Sequence, residues 1–109
     1  MDFRFIKNFV NETVRQFGTR DPFAIAEKAC VSIVYESWNS VTIGEFERKT
    51  QTIFVNQKAL TKTENAENLK AKIVAHELGH FFAADLRLNK KEEENFARAF
   101  AENLTEDNQ

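Results

Sequence analysis

A single cysteine in 109 residues leaves this chain with no possible intramolecular disulfide. That residue, Cys30, sits in the apolar run of residues 29–34 and is expected to behave as a small hydrophobe rather than as a ligand. Proline is equally scarce, at one residue, and glycine occurs three times. No Pro-, Gly- or Ser-rich linker divides the chain, so a single domain over residues 1–109 is expected. No stretch approaches the roughly 20 apolar residues that span a bilayer. The first residues, with Asp2, Arg4 and Lys7 among apolar ones, lack the apolar core of a secretory signal. The cytoplasm is therefore the expected compartment, with no membrane partner. Positive charge is not in excess either. A formal net charge of -2 provides no field to neutralise a phosphate backbone, so direct nucleic-acid binding is not expected. Tyrosine and tryptophan occur once each against eleven phenylalanines, which suggests a core of rings that need no polar partner.

Phe3, Ile6, Val10, Val14 and Phe17 recur at helical spacing, and Gly18 is placed to end that helix. Asp21 as N-cap and Pro22 in the first turn open a second helix to about Ala29. Residues 31–35, 41–46 and 50–55 are rich in β-branched and aromatic side chains and read as three short strands. Trp38-Asn39-Ser40 and Glu47-Arg48-Lys49 are candidates for the turns or connections between them. Thr61 with Glu64 resembles a capping box for a long helix reaching about Leu86. Asn89 with Glu92 repeats the signal ahead of Phe96, Ala99, Phe100 and Leu104, a last helix that frays into residues 105–109. Helices, then strands, then helices make an α+β pattern.

The chemistry concentrates in His76-Glu77-Leu78-Gly79-His80. Two histidines four apart on a helix project from one face, about 6 Å apart along the axis, and converge on one ion. They are also the only histidines in the chain. In HExxH sites the imidazoles bind Zn2+, while the intervening glutamate acts as general base towards the attacking water. A helix with two polar residues on a half-buried face is the bland alternative, but burying the three groups without a metal would leave costly unpaired atoms. Gly79 costs roughly 1 kcal/mol relative to Ala inside a helix, which points to a close backbone approach there.

A third protein ligand is needed if water is to keep the fourth position. With no third histidine, it must be a carboxylate or Cys30. Glu92, Glu93 and Glu94 lie on the next helix, and successive residues point about 100° apart, so one of them can face the metal. Glu94 is in line with the small residues Ala97 and Ala101 and is favoured over Glu93. Asp85 competes, although an intact helix would turn it away.

These residues resemble the ImmA/IrrE-type metallo-endopeptidases. The resemblance runs from Asp21-Pro22-Phe23-Ala24-Ile25-Ala26 through Thr52-Ile53-Phe54-Val55-Asn56 and Ile73-Val74-Ala75-His76-Glu77-Leu78-Gly79-His80 to Ala97-Arg98-Ala99-Phe100-Ala101. It implies a minimal zincin fold, a small sheet beside the motif helix with a C-terminal helix that supplies a Glu ligand, which here follows the two N-terminal helices read above. By position it implies His76, His80 and Glu94 as zinc ligands and Glu77 as the catalytic acid/base. It further implies a protein substrate, a DNA-binding repressor or regulator, cut at one peptide bond. Two positions depart from the family pattern. Arg98 replaces the Asn of Glu-x-x-Ala-Asn, and Ala84 stands where many members have another His.

The expected activity is zinc-dependent peptide hydrolysis, with the substrate lying along a strand edge from the 41–55 region. Tyr35, Arg87 and Arg98 are candidates to face the developing negative charge. The alternative is a metal-binding regulatory module that holds a partner protein without cutting it.

Overall fold

The computed structural model describes residues 2–39 and 41–106. Ser40 of the expected 38–40 turn and the end of the expected C-terminal fray, residues 107–109, lie outside them. Helix α1 spans Phe3–Phe17 and α2 Pro22–Lys28. Strands β1 (Ser32–Glu36), β2 (Gly44–Glu47) and β3 (Thr52–Asn56) follow. After them come α3 (Gln57–Leu60), α4 (Ala66–Phe82), a 3-10 turn at Ala83–Leu86, and α5 (Lys90–Leu104). The fold is α+β, with five α-helices among the described residues and a three-stranded mixed sheet. No helix is long and apolar enough to cross a membrane among those residues.

Local chemistry explains most boundaries. The Asp2 carboxylate accepts from Phe5 N–H at the start of α1, and Gly18 closes that helix at φ 73°. Asp21 caps α2 and Pro22 occupies its first turn. At α5 the Asn89 side chain accepts from Glu92 N–H while the Glu92 carboxylate accepts from Asn89 N–H, the capping box expected from the spacing.

Three expectations need correction. Thr61 and Glu64 do not cap the long helix. The Asn56 side chain accepts from Lys58 N–H and starts the short α3, so Thr61 terminates that helix and α4 begins later, at Ala66. Phe3 is not on the buried face of α1; it is 69 % exposed, with the Lys7 ammonium 6.0 Å from the centre of its ring. Cys30 is exposed rather than packed in an apolar run, since the chain leaves α2 through a left-handed residue at that position (φ 61°).

Sheet order is β1-β3-β2, with β1 parallel and β2 antiparallel to β3. Central β3 is largely buried on both faces, whereas β2 alternates partly covered and exposed positions and β1 is partly covered only at Ile33 and Val34. Fully buried Asn56 closes β3. Its amide donates to the Trp38 and Thr42 carbonyls, and its oxygen accepts from Trp38 N–H and Lys58 N–H. One side chain thus fastens the segment that leads into β2, with every strong bonding position used.

Helix α4 is the hub. Residues 73–75 and 77–79 are all buried, a helix covered on nearly every side rather than along one stripe. It packs against β2 and β3, α2 and α5. Phe46 of β2 meets Phe81 edge-on at 5.8 Å, and Phe82 meets Phe9, Phe17 and Phe100, so α1 and α5 are joined to α4 through rings. The closest approach is at Gly79, where a Cβ would stand 2.7 Å from the Ala97 Cα. Gly79→Ala should therefore destabilise the protein by about 1–3 kcal/mol despite its gain in helix propensity, because the obstacle is backbone. Urea unfolding measures this, and a more stable variant would contradict the packing account.

Candidate metal centre

His76 and His80 lie on the last two turns of α4 with ring centroids 5.2 Å apart. Because α5 packs against α4 at Gly79–Ala97, the residue one turn before Ala97 reaches both rings. That residue is Glu94. One of its carboxylate oxygens is 3.0 Å from His76 Nε2, and the other is 3.1 Å from His80 Nε2. One donor atom from each of His76, His80 and Glu94 can be chosen so that all lie within 4.8 Å of one another, and the group could hold a metal ion. Two imidazole nitrogens and a carboxylate oxygen are a donor set that several divalent metals accept.

The three consecutive glutamates point three ways. Glu92 is engaged in the α5 capping box. Glu93 contacts His80 on the opposite ring atom, Nδ1, at 2.7 Å, and Arg48 bridges both oxygens of Glu93 at 3.1 Å. Glu94 alone spans the two Nε2 atoms. Asp85 lies exposed on the 3-10 turn, outside the donor group, and Cys30 is not part of it.

Glu77 is 7 % exposed and sits beneath β2. A Cβ on Gly44 would meet Ile73 Cγ2 at 2.5 Å and Glu77 Oε2 at 3.2 Å, so only a glycine lets the strand pass this close to the carboxylate. Burial pushes the Glu77 carboxyl up to about 7; His80 opposes the rise, and Glu94 and Glu45 add to it. Burial also lowers the His76 value from 6.5, against the raising influence of Glu94. A neutral imidazole is the form that binds a metal.

The site opens into a cleft of about 1040 Å³. Val41, Ile43, Leu69 and Ile73 supply apolar lining, while Lys72 and Arg98 bring positive charge. Of the three residues expected near developing negative charge, Arg98 lines this cleft, whereas Tyr35 and Arg87 do not. Strand β2 is an edge. Asn56 N–H donates to Ile43 O at 2.9 Å, so by alternation Glu45 and Glu47 also turn their main-chain groups towards β3. The groups of Gly44 and Phe46 then face the open side.

Sequence reasoning missed the part played by Arg48. It lies in the tight turn between β2 and β3, and no spacing rule connects a turn arginine to a glutamate 45 residues away. Asn56 was visible only as the end of an apolar run. Comparison of the chain with protein-family models, curated proteins and solved structures gives no significant match.

In metal-free protein the folded-state value of Glu77 lies above its unfolded value near 4.5. Its contribution to stability is thus intact below pH 4.5 and lost as pH rises through about 7. Glu77→Gln removes that penalty. With chelator present, the variant should match wild type at pH 4.5 and exceed it by about 3 kcal/mol above pH 8. A stability difference that does not change with pH would contradict the burial argument.

Proposed function

We propose that this chain is a metal-dependent endopeptidase of the ImmA/IrrE type with a minimal zincin fold. The observation that carries the reading is the Glu94 carboxylate spanning the Nε2 atoms of His76 and His80, with buried Glu77 between them in sequence. His76, His80 and Glu94 would hold Zn2+, which when bound polarises the scissile carbonyl and makes water more acidic.

The remaining work falls to the chain itself. Glu77 takes the proton from the attacking water and passes it to the departing amine nitrogen. Burial raises the Glu77 carboxyl in the metal-free site, and a bound cation would draw it back towards the ionised form that accepts a proton from water. The substrate lies extended along β2 and pairs its main chain with the outward groups of Gly44 and Phe46. Gly44 keeps that edge close to Glu77. Val41 and Ile43, two of the large apolar side chains left exposed, stand ready to cover apolar substrate side chains. Arg98 faces the cleft, where a guanidinium can meet negative charge developing on the carbonyl oxygen. The family resemblance makes a DNA-binding repressor or regulator the substrate.

A second reading draws on Arg98. Its guanidinium lies 3.9 Å from Glu94, where the family pattern has an uncharged Asn, and competes with a cation for that carboxylate. This favours a metal-binding regulatory module that holds its partner uncut. The two readings part on Glu77→Gln. For an enzyme, the zinc-loaded variant retains its metal and loses roughly 100-fold or more of its cleavage of a peptide library or a candidate repressor. Undiminished cleavage by Glu77→Gln would overturn the assignment, and partner capture without any cleavage by wild type would establish the module.

A further inference from the structure

A histidine that binds a metal through one nitrogen has a problem of orientation. The torsion that turns its ring is broad and two-fold, so a flip exchanges the two edges of the ring at little cost. His80 lies near the end of α4, and the helix backbone itself does not select which ring edge faces the metal. Helix packing alone leaves the choice between Nδ1 and Nε2 open.

Two residues outside the donor group, Glu93 and Arg48, remove the ambiguity. Glu93 approaches Nδ1 at 2.7 Å from one side, while Glu94 meets Nε2 from the other. Glu93 is held in turn by Arg48, whose Nη2 atom is 3.1 Å from both of its carboxylate oxygens. Glu93 is largely covered, with 22 % of its side chain exposed, so it makes this contact away from bulk water. The chain of contacts runs from the β2–β3 turn through Arg48 and Glu93 to the ring of His80. As an ion pair alone it is of little value, since half-exposed Arg–Glu pairs contribute about 0–1 kcal/mol. Its geometry is more telling, because a carboxylate accepting from one ring N–H fixes the tautomer and leaves the lone pair on the opposite nitrogen.

We propose that Glu93, anchored by Arg48, is the positioning residue that fixes the His80 ring so that Nε2 is presented to the metal. The inference rests on the metal-centre reading above and assigns Glu93 a role distinct from ligation. It also ties the β2–β3 turn, and with it the edge strand, to the metal ligands by a path other than the α4 backbone.

Zinc affinity, measured by competition with a chromophoric chelator, tests this on the full chain without recourse to activity. Glu93→Ala should bind Zn2+ roughly 10–100-fold more weakly than wild type. Glu93→Gln keeps an oxygen that can accept from Nδ1–H and should recover most of that loss. Arg48→Met should weaken binding in the same direction by a smaller factor. The metal-free melting temperatures of these variants should remain near that of wild type, which separates positioning from a general structural role. In zinc-loaded wild type a proton-detected nitrogen spectrum should show a slowly exchanging Nδ1–H on His80 that is absent from Glu93→Ala. Unchanged affinity in Glu93→Ala would overturn the inference while leaving the metal centre intact. Loss of zinc as complete as in Glu94→Ala, without recovery in Glu93→Gln, would overturn it by making Glu93 a ligand. Failure of wild type itself to take up zinc would overturn the metal-centre reading and this inference together.

Discussion

The arrangement depends on the absence of a side chain at Gly79. With only hydrogen there, α5 lies against α4 so closely that a methyl group would fall 2.7 Å from the Ala97 Cα. The residue after Gly79 is His80, and one turn before Ala97 is Glu94. A close crossing at that point therefore sets the distance between an imidazole and a carboxylate held on different helices. The Phe9, Phe82, Phe96 and Phe100 rings fix the same pair of helices from the far side. Small residues at the crossing and large rings behind it accomplish together what neither could do alone.

A second constraint runs against stability. The hub helix buries a carboxyl group, Glu77, among apolar residues and beneath a glycine of the edge strand. A core chosen for stability alone would place an apolar side chain there. The two imidazoles, Glu94 and Glu93 extend this polar seam through the partly buried end of the helix, and each contact within it satisfies another. Buried polar networks of this kind are costly when incomplete, which is why the supporting contacts reach as far as Arg48 in a distant turn.

Much of this could be read in the residues themselves, for reasons of range. Asp21 and Asn89 act within one helical turn, and their caps follow from spacing. His76, Glu77 and His80 belong to one helix, so their shared neighbourhood was legible too. Glu94 was accessible through its register with Ala97 and Ala101. The allocation of Glu92, Glu93 and Glu94 to cap, ring nitrogen and donor group was not, because it depends on how α5 is rotated against α4. Sheet order was equally hidden. Short strands with weak alternation carry no signal for a parallel β1–β3 pair that traps β2 on the edge. Asn56 misled in a specific way: its capping of α3 displaced the start of the long helix from the Thr61 region to Ala66.

The central claim is that two imidazoles and one carboxylate on separate helices form a single cation site. Crystals of the protein grown with Zn2+ and measured across the zinc absorption edge test it most directly. The account predicts one anomalous peak, bonded to Nε2 of His76, Nε2 of His80 and a Glu94 oxygen, with Glu93 still on His80 Nδ1. A peak held elsewhere, or rings that turn away from Glu94 with no ion between them, would contradict it.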